Sequence, residues 1–275
     1  MKRIMLLMLL VALTVLSACA KSGKETTDGH GGHGDSAPAS SAGAEADKTK
    51  AVWKLSSETP QAKSDTKVSI AIQDDKGAAV EKFDISHEKK MHLIVVSDDL
   101  SYFNHIHPEY KEKGRFEIDT QFPAPGGYKL FADYVPTGGS AVTKSERITV
   151  GGTKPAPAPI VPDKDLTRSV AGKQVTLTID HLMAGMQANL TFRIVEEKTK
   201  QPITDLQPYL GAVGHVVILS ADAEQYLHVH PTEEKAKGPD AKFMTTFPKS
   251  GIYKIWGQFQ HNGQVFTVPF VVQVP

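Results

Sequence analysis

Two stretches of this chain repeat one another in order and spacing. Met91-His92-Leu93-Ile94-Val95-Val96-Ser97 returns as Gly214-His215-Val216-Val217-Ile218-Leu219-Ser220. Phe103-Asn104-His105-Ile106-His107-Pro108 returns as Tyr226-Leu227-His228-Val229-His230-Pro231. Phe122-Pro123 and Gly127-Tyr128-Lys129-Leu130-Phe131 return as Phe247-Pro248 and Ile252-Tyr253-Lys254-Ile255-Trp256. Two copies are too few for a solenoid, so a chain of 275 residues built this way reads as two tandem domains of ordinary size.

The units are written in strands. Residues 68–72 alternate apolar with polar, as do residues 175–179 in the second copy. Residues 91–97 and 214–220 are apolar on both faces, the pattern of a central strand in a packed sandwich. Turn signals punctuate the rest: Asp74-Asp75-Lys76-Gly77, Pro125-Gly126-Gly127, Gly138-Gly139, Lys249-Ser250-Gly251 and Asn262-Gly263, the last marking a hairpin. No long amphipathic helix is written. The fold class is all-β, two tandem antiparallel β-sandwich domains over 51–150 and 166–275, joined by a Pro/Ala-rich, extended and semi-rigid linker over 151–165.

The first residues indicate an address. Lys2 and Arg3 precede an apolar run from Ile4 to Leu16, which is short for a membrane span. Leu16-Ser17-Ala18-Cys19 has the form of a bacterial lipobox, so 1–18 reads as a lipoprotein signal peptide and Cys19 as the lipidated residue. Acyl chains on Cys19 would hold the protein to a membrane on its extracytoplasmic side. Residues 19–50 are rich in Gly, Ser, Ala and charge, the composition of a disordered tether, with His30 and His33 as weak metal contacts or as plain spacer. Cys19 is the sole cysteine, so neither sandwich can contain a disulfide. Basic and acidic residues balance at 31 each, and no basic stripe points to nucleic acid.

The duplicated histidines carry the chemistry. His-x-His on a strand puts both rings on one face, and a third ring from a neighbouring strand can close a site of three nitrogens. The candidates are His92, His105 and His107 in the first copy, and His215, His228 and His230 in the second. Imidazole suits copper and zinc. Asp133 aligns with Gln258; as a fourth ligand the carboxylate would make the first site the tighter one. Met91 beside His92 reads as core packing. Met183 and Met186 near His181 read as a loop with apolar anchors or a copper(I) site, and His87 and His261 as surface or turn residues. The other reading of the six repeated histidines is structural, with rings bonded to backbone or packed on aromatics.

Pro125-Gly126-Gly127-Tyr128 and Ser250-Gly251-Ile252-Tyr253 resemble the tyrosine corner of immunoglobulin-like sandwiches, in which the hydroxyl ties a strand start to its preceding loop. With the His-x-His-Pro motif, the chain resembles uncharacterised bacterial secreted or lipid-anchored proteins of tandem cupredoxin-like or immunoglobulin-like sandwiches. That resemblance implies heavy-metal handling in the cell envelope. An electron-transfer copper site needs a cysteine thiolate that neither domain has. No general base or oxyanion device is legible beside the histidines, so the expectation is a binding protein and not an enzyme. It would capture or buffer copper or zinc with a histidine triad in each domain, its partners being the membrane, the ion and a metal transporter or other envelope protein. The alternative is an adhesion or assembly module whose histidines are structural.

Overall fold

The computed structural model describes residues 48–227 and 229–275. The expected signal peptide, Cys19, His30, His33, all but the last residues of the tether, and His228 lie outside the described residues. The first copy forms β1 (Lys50–Leu55), β2 (Asp65–Gln73), β3 (Phe83–Asp84), β4 (Met91–Ser97), β5 (Phe103–Ile106), β6 (Glu109–Tyr110), β7 (Arg115–Gln121), β8 (Gly126–Pro136) and β9 (Val142–Val150). The second forms β10 (Thr167–Val170), β11 (Lys173–Asp180), β12 (Gln187–Glu196), β13 (His215–Ser220), β14 (Tyr226–Leu227), β15 (His230–Pro231), β16 (Asp240–Thr246), β17 (Gly251–His261) and β18 (Gln264–Val274).

Among the described residues, all pairs of these strands are antiparallel and none joins the two copies. In the first copy a sheet β1-β2-β7-β6 faces a sheet in which β8 pairs with both β4 and β9, β5 borders β4, and β3 pairs with the end of β8. The second copy repeats the order as β11-β12-β16-β15, with β10 added at the edge, and as β14-β13-β17-β18, without an equivalent of β3 among the described residues. The order is that of an immunoglobulin-type sandwich. Pairing makes β2 the equivalent of β12, since β7 and β16 are their respective partners. The alternating segments 68–72 and 175–179 therefore occupy different places in the two sandwiches, and the true counterpart of 68–72 is 190–194. Both tyrosine corners form: Tyr128 Oη donates to Ala124 O at 2.8 Å and Tyr253 Oη to Lys249 O at 3.0 Å.

Alternation on β4 and β13 explains their two apolar faces. Met91, Leu93 and Val95 fill the first sandwich core with Val68, Ile70, Phe116 and Leu130. Met91 is fully buried there. Its counterpart is Gly214 because a Cβ there would lie 2.5 Å from the Phe259 ring. Val216 and Ile218 enter the second core. The opposite faces do not meet solvent. Ile94, Val96, Leu100 and Phe131 pack with Val217, Leu219, Ala223 and Trp256 in a third core between the sandwiches. Burying an aliphatic or aromatic side chain of this size contributes about 1.5–3 kcal/mol.

The contacts at this interface are reciprocal, as in an isologous dimer. Phe103 stacks on Trp256 at 4.7 Å between centroids, and their counterparts Tyr226 and Phe131 stack at 5.4 Å. Lys129 Nζ donates to Ala223 O at 2.8 Å, and Lys254 Nζ to Leu100 O at 2.8 Å. The linker is pinned where it passes: Ala158 N donates to Asp99 at 2.9 Å and Ile160 packs against the shared core.

Candidate metal centre between the sandwiches

The histidines lie on the interface face. In the β4–β5 register Ile94 opposes His105, so His92, Ile94, His105 and His107 share the side that meets the second copy. His92, His105 and His107 each turn a donor nitrogen inward, and these atoms lie within 4.8 Å of one another. The trio is joined by His215 from β13. Its ring stacks on His92 at 5.6 Å and lies 4.6 Å from His105, centroid to centroid. His87 adds a fifth ring, 5.5 Å from His215 and 6.2 Å from His92.

Outer partners hold two of the rings. His92 Nε2 lies 2.9 Å from Ser86 O, a carbonyl that can only accept, so this nitrogen carries the proton and Nδ1 is the acceptor. His105 Nδ1 lies 2.7 Å from Gln258 Oε1, and Gln258 Nε2 donates to Thr267 Oγ1 at 3.2 Å. The inner nitrogens, His92 Nδ1 and His105 Nε2, approach to 2.9 Å. Two imidazole nitrogens this close have a proton or a cation between them. Protonation is disfavoured: burial first, then the neighbouring His92, push His105 down to about 3, with the Gln258 bond opposing only in part. Burial, His92 and Lys89 push His107 down to about 4. Burial and the surrounding rings hold His215 well below the usual imidazole value.

Two further nitrogens here, His107 Nε2 and His215 Nδ1, are buried with no hydrogen-bond partner among the described residues. Unpaired buried polar atoms are rare and costly. Neutral imidazoles whose far nitrogens are held by a carbonyl and an amide are the usual dress of metal ligands. Tetrahedral zinc bonded at 2.0–2.1 Å spaces its ligands about 3.3 Å apart, within the range these donors span.

Several expected residues stand elsewhere. Asp133 opposes His92 in register but is not in the donor group. Its carboxylate faces Tyr226 Oη of the other copy at 3.5 Å, and burial followed by that negative charge raises the Tyr226 pKa well above its usual value. Gln258, expected as a poor ligand for a second ion, instead holds His105 of the first trio across the interface. His215 also turns toward the first trio. His230 is exposed on β15, in the sheet that does not contain His215. His261 is not a surface residue: it is buried, with Nε2 3.1 Å from Asp205. Leu182 and Ala184 anchor the β11–β12 loop, while Met183 and Met186 are exposed.

The role of His215 and Gln258 had a signal in the sequence. The apolar residues Ile94, Val96, Val217 and Leu219 share strand parity with His92 and His215, so the histidine-bearing face had to be covered by something outside its own sandwich.

Fold and site define a tandem immunoglobulin-type sandwich protein with a buried histidine cluster where its two copies meet. The chain belongs to the family described as Domain of unknown function (DUF8832), which matches it twice, over residues 44–152 and 168–275. No curated protein sequence matches it. Among solved structures it is similar to the Escherichia coli adhesin FdeC, with 16% identity over 83% of this chain and 64% of that one and a TM-score of 0.29. It is similar to Yersinia pseudotuberculosis InvD, with 14% identity over 82% and 57% and a TM-score of 0.26. A two-domain fibronectin type III segment of chicken tenascin matches with 10% identity over 81% and 97% and a TM-score of 0.23. The chain spans less than two thirds of the length of the FdeC and InvD chains.

Proposed function

We propose that this protein binds a divalent transition-metal ion, copper or zinc, in the interface between its two sandwiches. His92 Nδ1, His105 Nε2 and His107 supply three nitrogens and His215 a fourth. The observation that carries the reading is the gathering of donor nitrogens of His92, His105 and His107 within 4.8 Å of one another, with the His215 ring packed against His92 and His105. A set of four neutral imidazoles favours borderline ions over magnesium or calcium, which take oxygen ligands. Four protein nitrogens close the coordination shell, which suits capture or buffering more than catalysis at an open position. The lipobox pattern around Cys19 would place this activity on the outer side of a membrane, beside a metal transporter or another envelope protein.

A second reading is an envelope adhesion or assembly module in which the histidines are structural. The bond from His105 to Gln258 favours it, since it ties the two copies together without an ion, and His92 is likewise held by Ser86 within the first copy. His107 separates the two readings because its Nε2 has no hydrogen-bond partner among the described residues. Under metal binding, His107→Ala weakens Zn2+ affinity by at least about a hundredfold. Under the structural reading it leaves no metal-dependent phenotype. Isothermal titration and melting curves of the full chain with Zn2+, Cu2+ and Ni2+ measure both. A bound ion raises the melting temperature of the wild type, because it stabilises only the folded state. No heat and no shift with any of the three ions overturns the proposal.

A further inference from the structure

The turn at residues 86–89 is built against its own sequence. Ser86 N donates to Lys89 O at 2.9 Å and Lys89 N to Ser86 O at 3.0 Å, closing a hairpin with two central residues. Those residues, His87 and Glu88, both sit in the left-handed region at φ 46° and 64°. This is the type I′ conformation, which suits Asn-Gly. Elsewhere the chain uses that pair for the same purpose, at Asn262 and Gly263 with φ 52° and 73°. At 87–88 two residues with Cβ atoms occupy the strained positions, and such strain collects where function requires it.

What the strained turn positions is the fifth imidazole. Ser86 O accepts from His92 Nε2, so the turn is tied directly to a ligand of the buried site. His87 meets His215 edge-on at 5.5 Å. The Glu88 side chain passes beside Gly211 of the second copy, where a Cβ would lie 3.5 Å from Glu88 Cγ. His92 is 4% exposed and His105 9%, whereas His87 is half-buried, with one side toward solvent and one toward the cluster. A closed shell of four nitrogens has no free position by which an ion can enter or leave, so exchange needs an incoming ligand at the rim.

We propose, resting on the metal-binding reading, that His87 is the exchange ligand of the site: its imidazole takes a divalent ion from solvent and passes it to His92 and His215. The strained turn keeps the ring at the rim instead of letting it settle into the shell. The test uses the full chain and Zn2+. Uptake, and release to an excess of a chromophoric chelator, are followed by stopped flow beside equilibrium titration. His87→Ala is expected to slow uptake and release by about tenfold each, leaving Kd within about threefold. The double variant His87→Asn, Glu88→Gly keeps the turn with its favoured residues. It is expected to slow exchange equally while raising the melting temperature of the metal-free chain. Exchange at wild-type rates in both variants overturns the role of His87 and leaves the buried site intact. A wild-type chain that takes up no Zn2+ overturns this inference together with the reading beneath it.

Discussion

In the first copy the interface face carries His92, His105, His107 and Asp133; in the second, the matching register positions of β13 and β17 carry His215 and Gln258. The apolar parts of the two faces answer one another pair by pair, in stacked aromatics and in lysines that reach each other's loops. The polar parts do not. Gln258 binds His105 across the interface, while its counterpart Asp133 faces a tyrosine. The joint is symmetric in its stacked aromatics and its lysine contacts, and asymmetric in its histidines, which gather around the first copy's trio. A carboxylate at 258 would accept the same bond from His105 but bring a charge into the buried joint, whereas the neutral amide holds the ring without that cost.

The largest effect expected from breaking this symmetry is on the joint itself. Trp256→Ala removes a stacked, 3% exposed side chain and should cost about 3–5 kcal/mol, read by denaturant unfolding. Phe131→Ala at the equivalent position should cost a similar amount, whereas independent sandwiches would tolerate both. Next comes His215→Ala. If the second copy completes the first copy's site, this variant weakens Zn2+ binding by at least about a hundredfold, as does loss of His107 from the first copy. If each copy keeps its own ion, the first-copy affinity does not move. The smallest effect is the one the copies share. Tyr128→Phe removes the bond donated to Ala124 O and a longer one accepted from Ala124 N, and Tyr253→Phe the one donated to Lys249 O, at about 1 kcal/mol for each donated bond.

The sandwich architecture was legible because its determinants are local. Strand alternation, Asn262-Gly263 and the two tyrosine corners act within a few residues of one another. Equivalence of strands was less so, because 68–72 and 175–179 alternate alike whatever their neighbours. Half of the site was legible as well: His-x-His fixes two rings on one face, and β4 supplies the third. The partnership between copies was hidden in a feature with two explanations. A strand apolar on both faces fits the middle of any layered structure, and the layer here is the other copy. Asp133 and Gln258 show what alignment cannot give, since equivalent positions in a two-fold joint need not face equivalent neighbours. His87 left no mark in the repeat, and its signal is conformational, in two left-handed residues with side chains.

Anomalous diffraction from crystals of the full chain grown with Zn2+ addresses the shared site most directly. The expected result is a zinc peak bonded to His92 Nδ1, His105 Nε2, a nitrogen of His107 and one of His215, at about 2.0–2.1 Å from each. A peak confined to ligands of a single sandwich, or no peak between the four rings, would contradict it.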